Sequence, residues 1–311
     1  MIHFDSNQWT VILGGSSGFG LATARTMAAH GMSVCVVHRD RRGAMPRIEQ
    51  AFAEIRGHGH SFLALNLDAL APEGQLKTLE ALKEAMGPQG QVKMLLHSIA
   101  FGNLKPLVAS RAPRRAEQAL QRLAGELGIP SDELQGTLER LAQDGEAPLQ
   151  ALLPVPEGQT FMEDEDVART IFSMGTSLLT WVRLLHENGL FAEDARVFGL
   201  TSEGNQVAWP GYAAVAAAKV ALESISRAIA VEFGPHGIRS NVLQAGVTDT
   251  PALRLIPGSA RMAAHSLMRN PLGRLTTPAD VANVICLLCT PEAAWINGTV
   301  IRVDGGENVS A

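Results

Sequence analysis

The chain has 311 residues, of which 46% are hydrophobic and 18% charged, which is ordinary composition for a globular protein. Its formal net charge of -5 gives no basic surface of the kind that nucleic acids or anionic membranes attract. The sequence shows neither a secretory signal pattern nor a stretch of about 18 apolar residues that could span a membrane. We therefore expect a cytoplasmic protein with no nucleic-acid or membrane partner.

In chain order, the sequence begins with a strand, a glycine-rich turn and a helix. Trp9–Leu13 is an apolar run with β-branched residues, GGSSGFG follows at 14–20, and LATARTMAAHG has a helical pattern. Further strands are predicted over Ser33–Val37, Ser61–Leu67, Val92–His97, Ala195–Leu200, Arg239–Leu243 and Thr299–Val303. Helices are predicted between them, including Pro46–Arg56 and Gly74–Met86. This alternation predicts an α/β fold, a doubly wound (Rossmann) parallel seven-stranded sheet, in a single domain over residues 1–311.

One stretch, from about residue 113 to 156, does not fit the alternation and predicts a small helical insertion. Apolar residues recur there at helical spacing, in a first helix at Ala116, Leu120, Leu123 and Leu127. Ser131 is a candidate N-cap for a second helix that carries Leu134, Leu138 and Leu141. Pro154 and Pro156 end the insertion. The insertion is either a cap beside the active-site mouth or a surface embellishment or subunit contact.

The glycine turn predicts a dinucleotide-binding site. Gly14, Gly18 and Gly20 form G-x-x-x-G-x-G directly after a strand, where side chains would keep the backbone away from a pyrophosphate. Ser16, Ser17 and Phe19 belong to the same loop and are candidate cofactor contacts. The alternative is a glycine-rich turn that binds no ligand.

The end of the second strand bears on the choice of coenzyme. Arg39 stands where an acidic residue would bind a ribose hydroxyl, and its guanidinium suits a 2′-phosphate, with Ser17 as a further donor. NADPH is therefore favoured and NADH stays possible, because Asp40 follows directly. Asp68 could accept from the adenine amino group or cap the next helix.

Two motifs carry a resemblance to a known family. His97-Ser98-Ile99-Ala100-Phe101-Gly102 looks like the HSI-G/A-F segment of enoyl-acyl carrier protein reductases. Tyr212, the only tyrosine, is followed by Lys219 after six intervening residues, which is the spacing of those enzymes. The chain thus resembles the short-chain dehydrogenase/reductase superfamily along nearly its whole length, apart from the insertion.

The resemblance implies an enoyl thioester reductase in fatty-acid or related biosynthesis. Tyr212 would steady the enolate oxygen of the thioester, and Lys219 would bind the nicotinamide ribose. Cofactor contacts carried over on matching motifs are Ser98, Ile99, Ala100, Gly246, Val247 and Thr250. The amphipathic, methionine-bearing segment 251–268 stands where the superfamily keeps a mobile substrate lid, so an acyl chain would lie beneath it.

Departures from the family pattern keep other functions open. The common pattern would place lysine at Ala216 and serine at Gly199, which disfavours ordinary ketone reduction. Ser202 stands where enoyl reductases commonly have an aromatic residue, and it could donate to a carbonyl, which keeps a carbonyl (3-oxoacyl) reductase possible. A non-catalytic NADP(H)-binding sensor is an alternative from another class.

The remaining candidates are weaker. Three cysteines are too few for a disulfide framework, although Cys286 and Cys289 could form a redox pair if exposed; Cys35 is expected to be buried. His58 and His60 lack a third metal ligand nearby, so no metal site is expected. The acidic run 163–166 is explained by the helix dipole. A docking site for an acyl carrier protein is a hypothesis on Arg111, Arg114 and Arg115, and a homotetramer is expected by resemblance.

Overall fold

A parallel sheet forms the centre of the molecule. The computed structural model describes residues 2–108, 115–153 and 160–310. Its strands are β1 (Gln8–Leu13), β2 (Ser33–His38), β3 (Phe62–Asn66), β4 (Gln91–His97), β5 (Phe191–Thr201), β6 (Ile238–Ala245) and β7 (Val300–Val303). They pair in the order β3-β2-β1-β4-β5-β6-β7, and every pairing is parallel. This confirms the predicted doubly wound α/β fold.

Helices cover both faces of the sheet. They are α1 (Gly18–Ala29), α2 (Met45–Arg56), α3 (Pro72–Met86), α4 (Arg115–Leu127), α5 (Ser131–Gln143), α6 (Asp164–Ile171), α7 (Ser177–Glu187), α8 (Ala213–Glu232), α9 (Pro251–Arg254), α10 (Ser259–Arg269) and α11 (Pro278–Leu288). A π-helical turn at Phe172–Thr176 joins α6 to α7. Helix α3 begins two residues before its predicted start, because Pro72 suits a first turn whose N–H groups lack partners within the helix.

The five inner strands bury both of their faces, which explains their nearly continuous apolar sequence, whereas the edge strands β3 and β7 are only partly buried. In β1, Trp9, Val11 and Leu13 face a buried cluster shared with α3, α7 and α8, whereas Ile12 faces the cluster shared with α1, α2 and α11. Because parallel strands β1 and β4 are neighbours whose connections run to opposite sides, a crevice opens at their carboxyl ends.

The cysteines are buried, so the redox-pair alternative is wrong. Cys286 in α11 and Cys289, the residue that follows the helix, are 2% and 0% exposed, because both pack into the core cluster against the sheet. Burial raises the pKa of Cys286 to about 11 and that of Cys289 to about 12, which leaves both as unreactive thiols at neutral pH. Cys35 in β2 is buried as predicted, and burial raises its pKa to about 12.

An ion-pair cluster near the amino ends of the central strands ties three of them together. Asp194 in β5 accepts from Lys93 Nζ in β4 at 2.8 Å, from Arg196 Nη1 at 2.6 Å and from Arg239 Nη1 at the start of β6 at 2.5 Å. Arg196 is 1% exposed and also donates to the carbonyl of Leu288, at the carboxyl end of α11. The cluster therefore fixes α11 against the sheet.

The insertion contains helices α4 and α5, with differences in detail from the sequence prediction. Pro130, rather than Ser131, occupies the N-cap position of α5, and Ser131 is its first residue. Leu120 of α4 is buried, but Leu123 and Leu127 are exposed, because the small core shared with α5 uses Ala124 instead. On α5, Leu134 and Leu138 are buried, while Leu141 is exposed. Pro154, Pro156, Arg111 and Arg114 lie outside the described residues.

The insertion also contacts the segment predicted as a lid. Its last described turn, Ala147–Leu152, packs against α10. Helices α9 and α10 together span the predicted lid and lie across the carboxyl ends of the strands. Among the described residues, no helix is both long and apolar enough to cross a membrane.

Candidate active site

The loop between β1 and α1 leaves room for backbone and ligand only because glycines, which lack side chains, stand at its closest contacts. Gly14 has φ +86°, and a Cβ there would lie 2.5 Å from the carbonyl oxygen of Ser98. A Cβ at Gly20 would lie 2.2 Å from the carbonyl oxygen of Gly14, so the turn could not close. Ser17 is the N-cap residue of α1 and lines the adjoining cavity with Gly18 and Phe19. This cradle at a helix amino end fits the pyrophosphate of a dinucleotide.

Arg39 lies at the carboxyl end of β2, where the adenosine half of such a dinucleotide would bind. Its Nη1 donates to Asp68 Oδ2 at 2.6 Å, and its guanidinium lies 4.6 Å from the ring centre of Phe101. Asp68 also accepts from the N–H of Leu70, so it stabilises a turn rather than capping a helix. The side chain of Arg39 is 51% exposed. Asp68 and Phe101 therefore hold the side chain of Arg39 in place at the end of β2.

Asp40, the residue that keeps NADH possible in the sequence, is bound to other residues of the protein. Its carboxylate pairs with Nδ1 of His38 at 2.9 Å, and its backbone exchanges hydrogen bonds with the Asn66 amide. His38 is buried against Phe52 of α2. Asp40 is thus held toward α2 by its partner.

A cavity of about 600 Å³ opens at the carboxyl ends of β1, β4, β5 and β6. It brings together most of the residues predicted for the site: Gly14, Ser17, Gly18, Phe19, Ser98, Ile99, Ala100, Ser202, Tyr212, Lys219, Gly246, Val247 and Thr250. Four other predicted site residues, Ser16, Gly20, Arg39 and Asp68, are not among the described residues that line it. Gly20 packs against the backbone of Gly14 in the same loop, and Arg39 and Asp68 pair with each other beyond the cavity.

Tyr212 lies in this cavity at the beginning of α8. Its hydroxyl is 3.4 Å from Ser202 Oγ, and a Cβ on Gly204 would lie 2.5 Å from its ring, so the ring packs directly against that glycine. Burial raises the pKa of Tyr212, against a smaller opposing effect of the Ser202 hydroxyl. The phenol is therefore protonated at neutral pH and can donate a hydrogen bond.

Lys219 lies two turns further along α8 and is 9% exposed. Its ammonium donates to the carbonyl of Leu200 at 2.8 Å, which fixes it at the end of β5. Burial lowers the pKa of Lys219 to about 8, while the carboxylate of Glu223 opposes that effect. Burial and the charge of Lys219 together lower the pKa of His97 to about 3, so this histidine is neutral.

The position where the common superfamily pattern has a serine is closed. Gly199 lies within β5, and a Cβ there would meet three carbon atoms of Leu222 at 2.9 to 3.1 Å. A hydroxyl-bearing side chain would have to displace this buried leucine. The packing around Gly199 therefore agrees with the absence of a serine at this position.

The mouth of the cavity is apolar. Trp209 and Val207, from the loop before Tyr212, face the lid, and Trp209 Nε1 donates to the carbonyl of Pro257 at 3.4 Å. The lid contributes Leu253, Leu255, Ile256, Met262 and Met268. A hydrocarbon chain would be shielded from water between these two walls.

The loop after β6 makes contacts that the sequence did not indicate. The N–H of Val247 donates to the carboxylate of Glu307 at 3.2 Å, and Thr250 caps α9 through its hydroxyl. Glu307 also pairs with Arg269 of the lid, which pairs with Glu203. No local pattern joins these residues. The aromatic in WPGY, three residues before the tyrosine, is a signal that could have identified Trp209.

The remaining candidates lie away from the cavity. Among residues 2–108, 115–153 and 160–310, no three histidine, cysteine or carboxylate side chains cluster as a metal site would require, and His58 and His60 stand at a helix end. Glu163 and Asp166 form a capping box at the start of α6. Arg115 begins α4, whereas the other two arginines of the docking hypothesis lie outside the described residues.

Comparison with known proteins places these features in a family. Residues 8–121 match the family model described as short chain dehydrogenase, and residues 155–308 match the one described as Enoyl-(Acyl carrier protein) reductase. The first match ends within α4, and all of α5 lies between the two matches.

Individual relatives agree with this result. The Enoyl-[acyl-carrier-protein] reductase [NADH] FabI of Salmonella typhimurium is 32% identical over 49% of the chain, and the chain spans about half, 51%, of that relative's length. The Probable 2,4-dienoyl-CoA reductase of Bacillus subtilis is 26% identical, with 96% of the chain and 95% of that protein covered. The crystal structure of the Aquifex aeolicus enoyl-[acyl-carrier-protein] reductase (NADH) superposes with a TM-score of 0.69 at 22% identity, over 98% of the chain and 97% of that structure's chain.

Proposed function

Because the chain belongs to the short-chain dehydrogenase/reductase superfamily, as an oxidoreductase of its enoyl-reductase-like branch, we propose that it reduces the trans-2 double bond of an enoyl thioester with NADPH. One observation carries the proposal. A protonated Tyr212 and a buried Lys219 share one cavity with the glycine cradle, beneath an apolar lid. When bound, the reduced nicotinamide would supply the hydride for the β-carbon, and the enolate that results takes a proton from water at the α-carbon to give the saturated thioester.

Tyr212 acts on the thioester carbonyl oxygen, at the opposite end of the conjugated enoyl thioester from the β-carbon. Negative charge develops on the thioester carbonyl oxygen as the β-carbon is reduced, and a fixed hydrogen-bond donor stabilises that charge more than it stabilises the substrate. The raised pKa of Tyr212 keeps its proton available for this bond at neutral pH. Packing on Gly204 fixes the ring, so the hydroxyl needs little reorganisation.

Lys219 adds a positive charge and a further donor. Its bond to the Leu200 carbonyl positions the ammonium for the ribose hydroxyls of the dinucleotide. In a buried site the charge also favours the developing oxyanion. With a pKa lowered to about 8, Lys219 is mostly charged at pH 7.

A second candidate function, reduction of a 3-oxoacyl thioester, is favoured by one contact. Ser202 Oγ lies 3.4 Å from the hydroxyl of Tyr212, so both can donate to one carbonyl oxygen. Against it, Gly199 and Leu222 close the position of the usual serine. Enoyl reduction is therefore the first proposal.

NADPH is proposed as the coenzyme because Arg39 is oriented at the end of β2 and Asp40 is held by His38. The acyl group would be carried by acyl carrier protein or coenzyme A, in fatty-acid or related biosynthesis. We place its chain under the lid, among the apolar side chains of α9 and α10.

A homotetramer is also proposed. Trp295 is 97% exposed shortly before β7, an edge strand of the sheet, and Leu287 on α11 is exposed as well. Val220 and Val231 are exposed on α8. Subunit contacts over both surfaces would remove these apolar side chains from water. Light scattering of the purified protein tests this, with a monomer as the contrary result.

The proposed function is tested by following oxidation of NADPH and NADH by the purified protein with a trans-2-enoyl thioester, a 2,4-dienoyl thioester and the matching 3-oxoacyl thioester. Turnover of the enoyl substrate with NADPH supports the first proposal. Turnover of the 3-oxoacyl substrate alone moves the function to carbonyl reduction. Nucleotide binding without turnover of any thioester would instead support a sensor.

A further inference from the structure

A three-residue ionic cluster beside the cavity has no part in the proposed chemistry. Arg269, the last residue of α10, pairs with Glu203 at 2.6 Å and with Glu307 at 3.2 Å. Glu203 follows Ser202 at the end of β5, and Glu307 lies in the last turn of the chain, Glu307–Val309. The cluster therefore joins the lid to two segments that are far apart in sequence.

Glu307 is buried to an extent that requires strong partners. It is 1% exposed, and a carboxylate in such a position is costly unless it is paired and hydrogen-bonded. Its partners are the Arg269 guanidinium, the Ser266 hydroxyl and the N–H of Val247. Two of these belong to α10 and one to the loop that follows β6.

The packing around Glu307 is equally close on the loop side. A Cβ on Gly246 would lie 2.7 Å from Glu307 Oε2 and 2.5 Å from Thr276 Oγ1. The carboxylate thus rests against the backbone of the loop that lines the cavity. A movement of α10 away from the cavity must break the bonds from Ser266 and Arg269, while the bond from Val247 belongs to the loop alone.

We propose that Glu307 is a positioning residue, a latch that couples closure of the lid helix α10 to the placement of the Val247 amide in the loop after β6. Arg269 extends the latch to Glu203 and so to the segment that bears Ser202. This inference rests on the proposed function only for the identity of the molecule that the lid covers. Opening of the lid and loosening of the loop are then one event.

The test is hydrogen exchange of the full chain, without substrate, on Glu307→Gln and on the wild type. We expect amide exchange to become about 10-fold faster in both 259–269 and 246–250, since a charge-assisted bond of a buried group is lost. Ser266→Ala, which removes one lid bond and leaves the carboxylate, should give a smaller increase in 259–269. Glu165→Gln is the matched control, because Glu165 pairs with Arg169 at an exposed site on α6 and its loss should leave both segments unchanged.

A second readout separates a latch from general support of the fold. Glu307→Gln should weaken NADPH binding, followed by nucleotide fluorescence, about 10-fold, while exchange in the central strands β1 and β4 stays as in the wild type. Exchange that rises equally in those strands would show that Glu307 only stabilises the fold, and the latch would be wrong. Exchange in 259–269 that matches the Glu165→Gln control would also refute it. Neither result depends on which thioester the protein reduces.

Discussion

Arg39 must exchange one partner for another if NADPH is the coenzyme, and the size of the preference follows from that exchange. In the structure its guanidinium donates to Asp68 at 2.6 Å, and its side chain is 51% exposed. An exposed pair of this kind is worth about 0.2–1 kcal/mol. A charge-assisted contact of the guanidinium with a 2′-phosphate is worth about 1.5–3 kcal/mol.

The difference leaves a net gain of about 1–2 kcal/mol, which corresponds to a preference of about 5- to 30-fold for NADPH over NADH in kcat/KM. Arg39→Gln should remove this preference, because Asp68 then meets the phosphate without a compensating cation. Asp68→Asn should enlarge it, since Arg39 no longer has to leave a carboxylate. Initial rates with both coenzymes at one ionic strength measure the ratios. An unchanged ratio in Arg39→Gln would refute the placement of the phosphate at Arg39.

The remaining predictions concern the site and the sheet. Tyr212→Phe should lower kcat at least about 100-fold with nucleotide binding retained, as measured by turnover and by NADPH fluorescence. The kcat/KM of the wild type should fall as pH rises through about 8, where Lys219 loses its charge, and Lys219→Met should be slow at every pH. Asp194→Asn should lower the free energy of unfolding in urea by about 2–4 kcal/mol, since buried cations lose their partner, whereas Glu165→Gln on the surface should stay within about 0.5 kcal/mol. Although burial opposes it, bonds from the neighbouring cations lower the pKa of Asp194 to about 2. The loss of unfolding free energy in the variant should therefore be complete above 3.8, the ordinary pKa of an aspartate, and should shrink as the pH falls toward 2.

The fold could be predicted because local signals agreed with one another. β-branched apolar runs such as 33–37 are buried on both faces of a parallel sheet, and a glycine with φ +86° at Gly14 is needed wherever backbone passes that close to Ser98. The spacing of Tyr212 and Lys219 places both on the inner side of α8, because two helical turns bring residues seven apart to the same face.

What could not be predicted depends on tertiary partners. The buried side of α4 differs from the prediction because its apolar residues cover more of the helix than the small core with α5 can bury, so Leu127 stays exposed. Asp40 keeps NADH possible in the sequence, and no sequence pattern shows that its carboxylate pairs with the buried His38 two residues earlier. Glu307 meets Arg269 across 38 residues, and no periodicity relates the two.

The most direct test of the central claim is the product formed from a trans-2-enoyl thioester and NADPH deuterated at its transferable hydrogen. We expect mass spectrometry to show the saturated acyl thioester with one deuterium at the β-carbon, and to show almost none with Tyr212→Phe. A 3-hydroxyacyl product from the 3-oxoacyl thioester, with the enoyl thioester recovered unchanged, would contradict the proposed enoyl reduction.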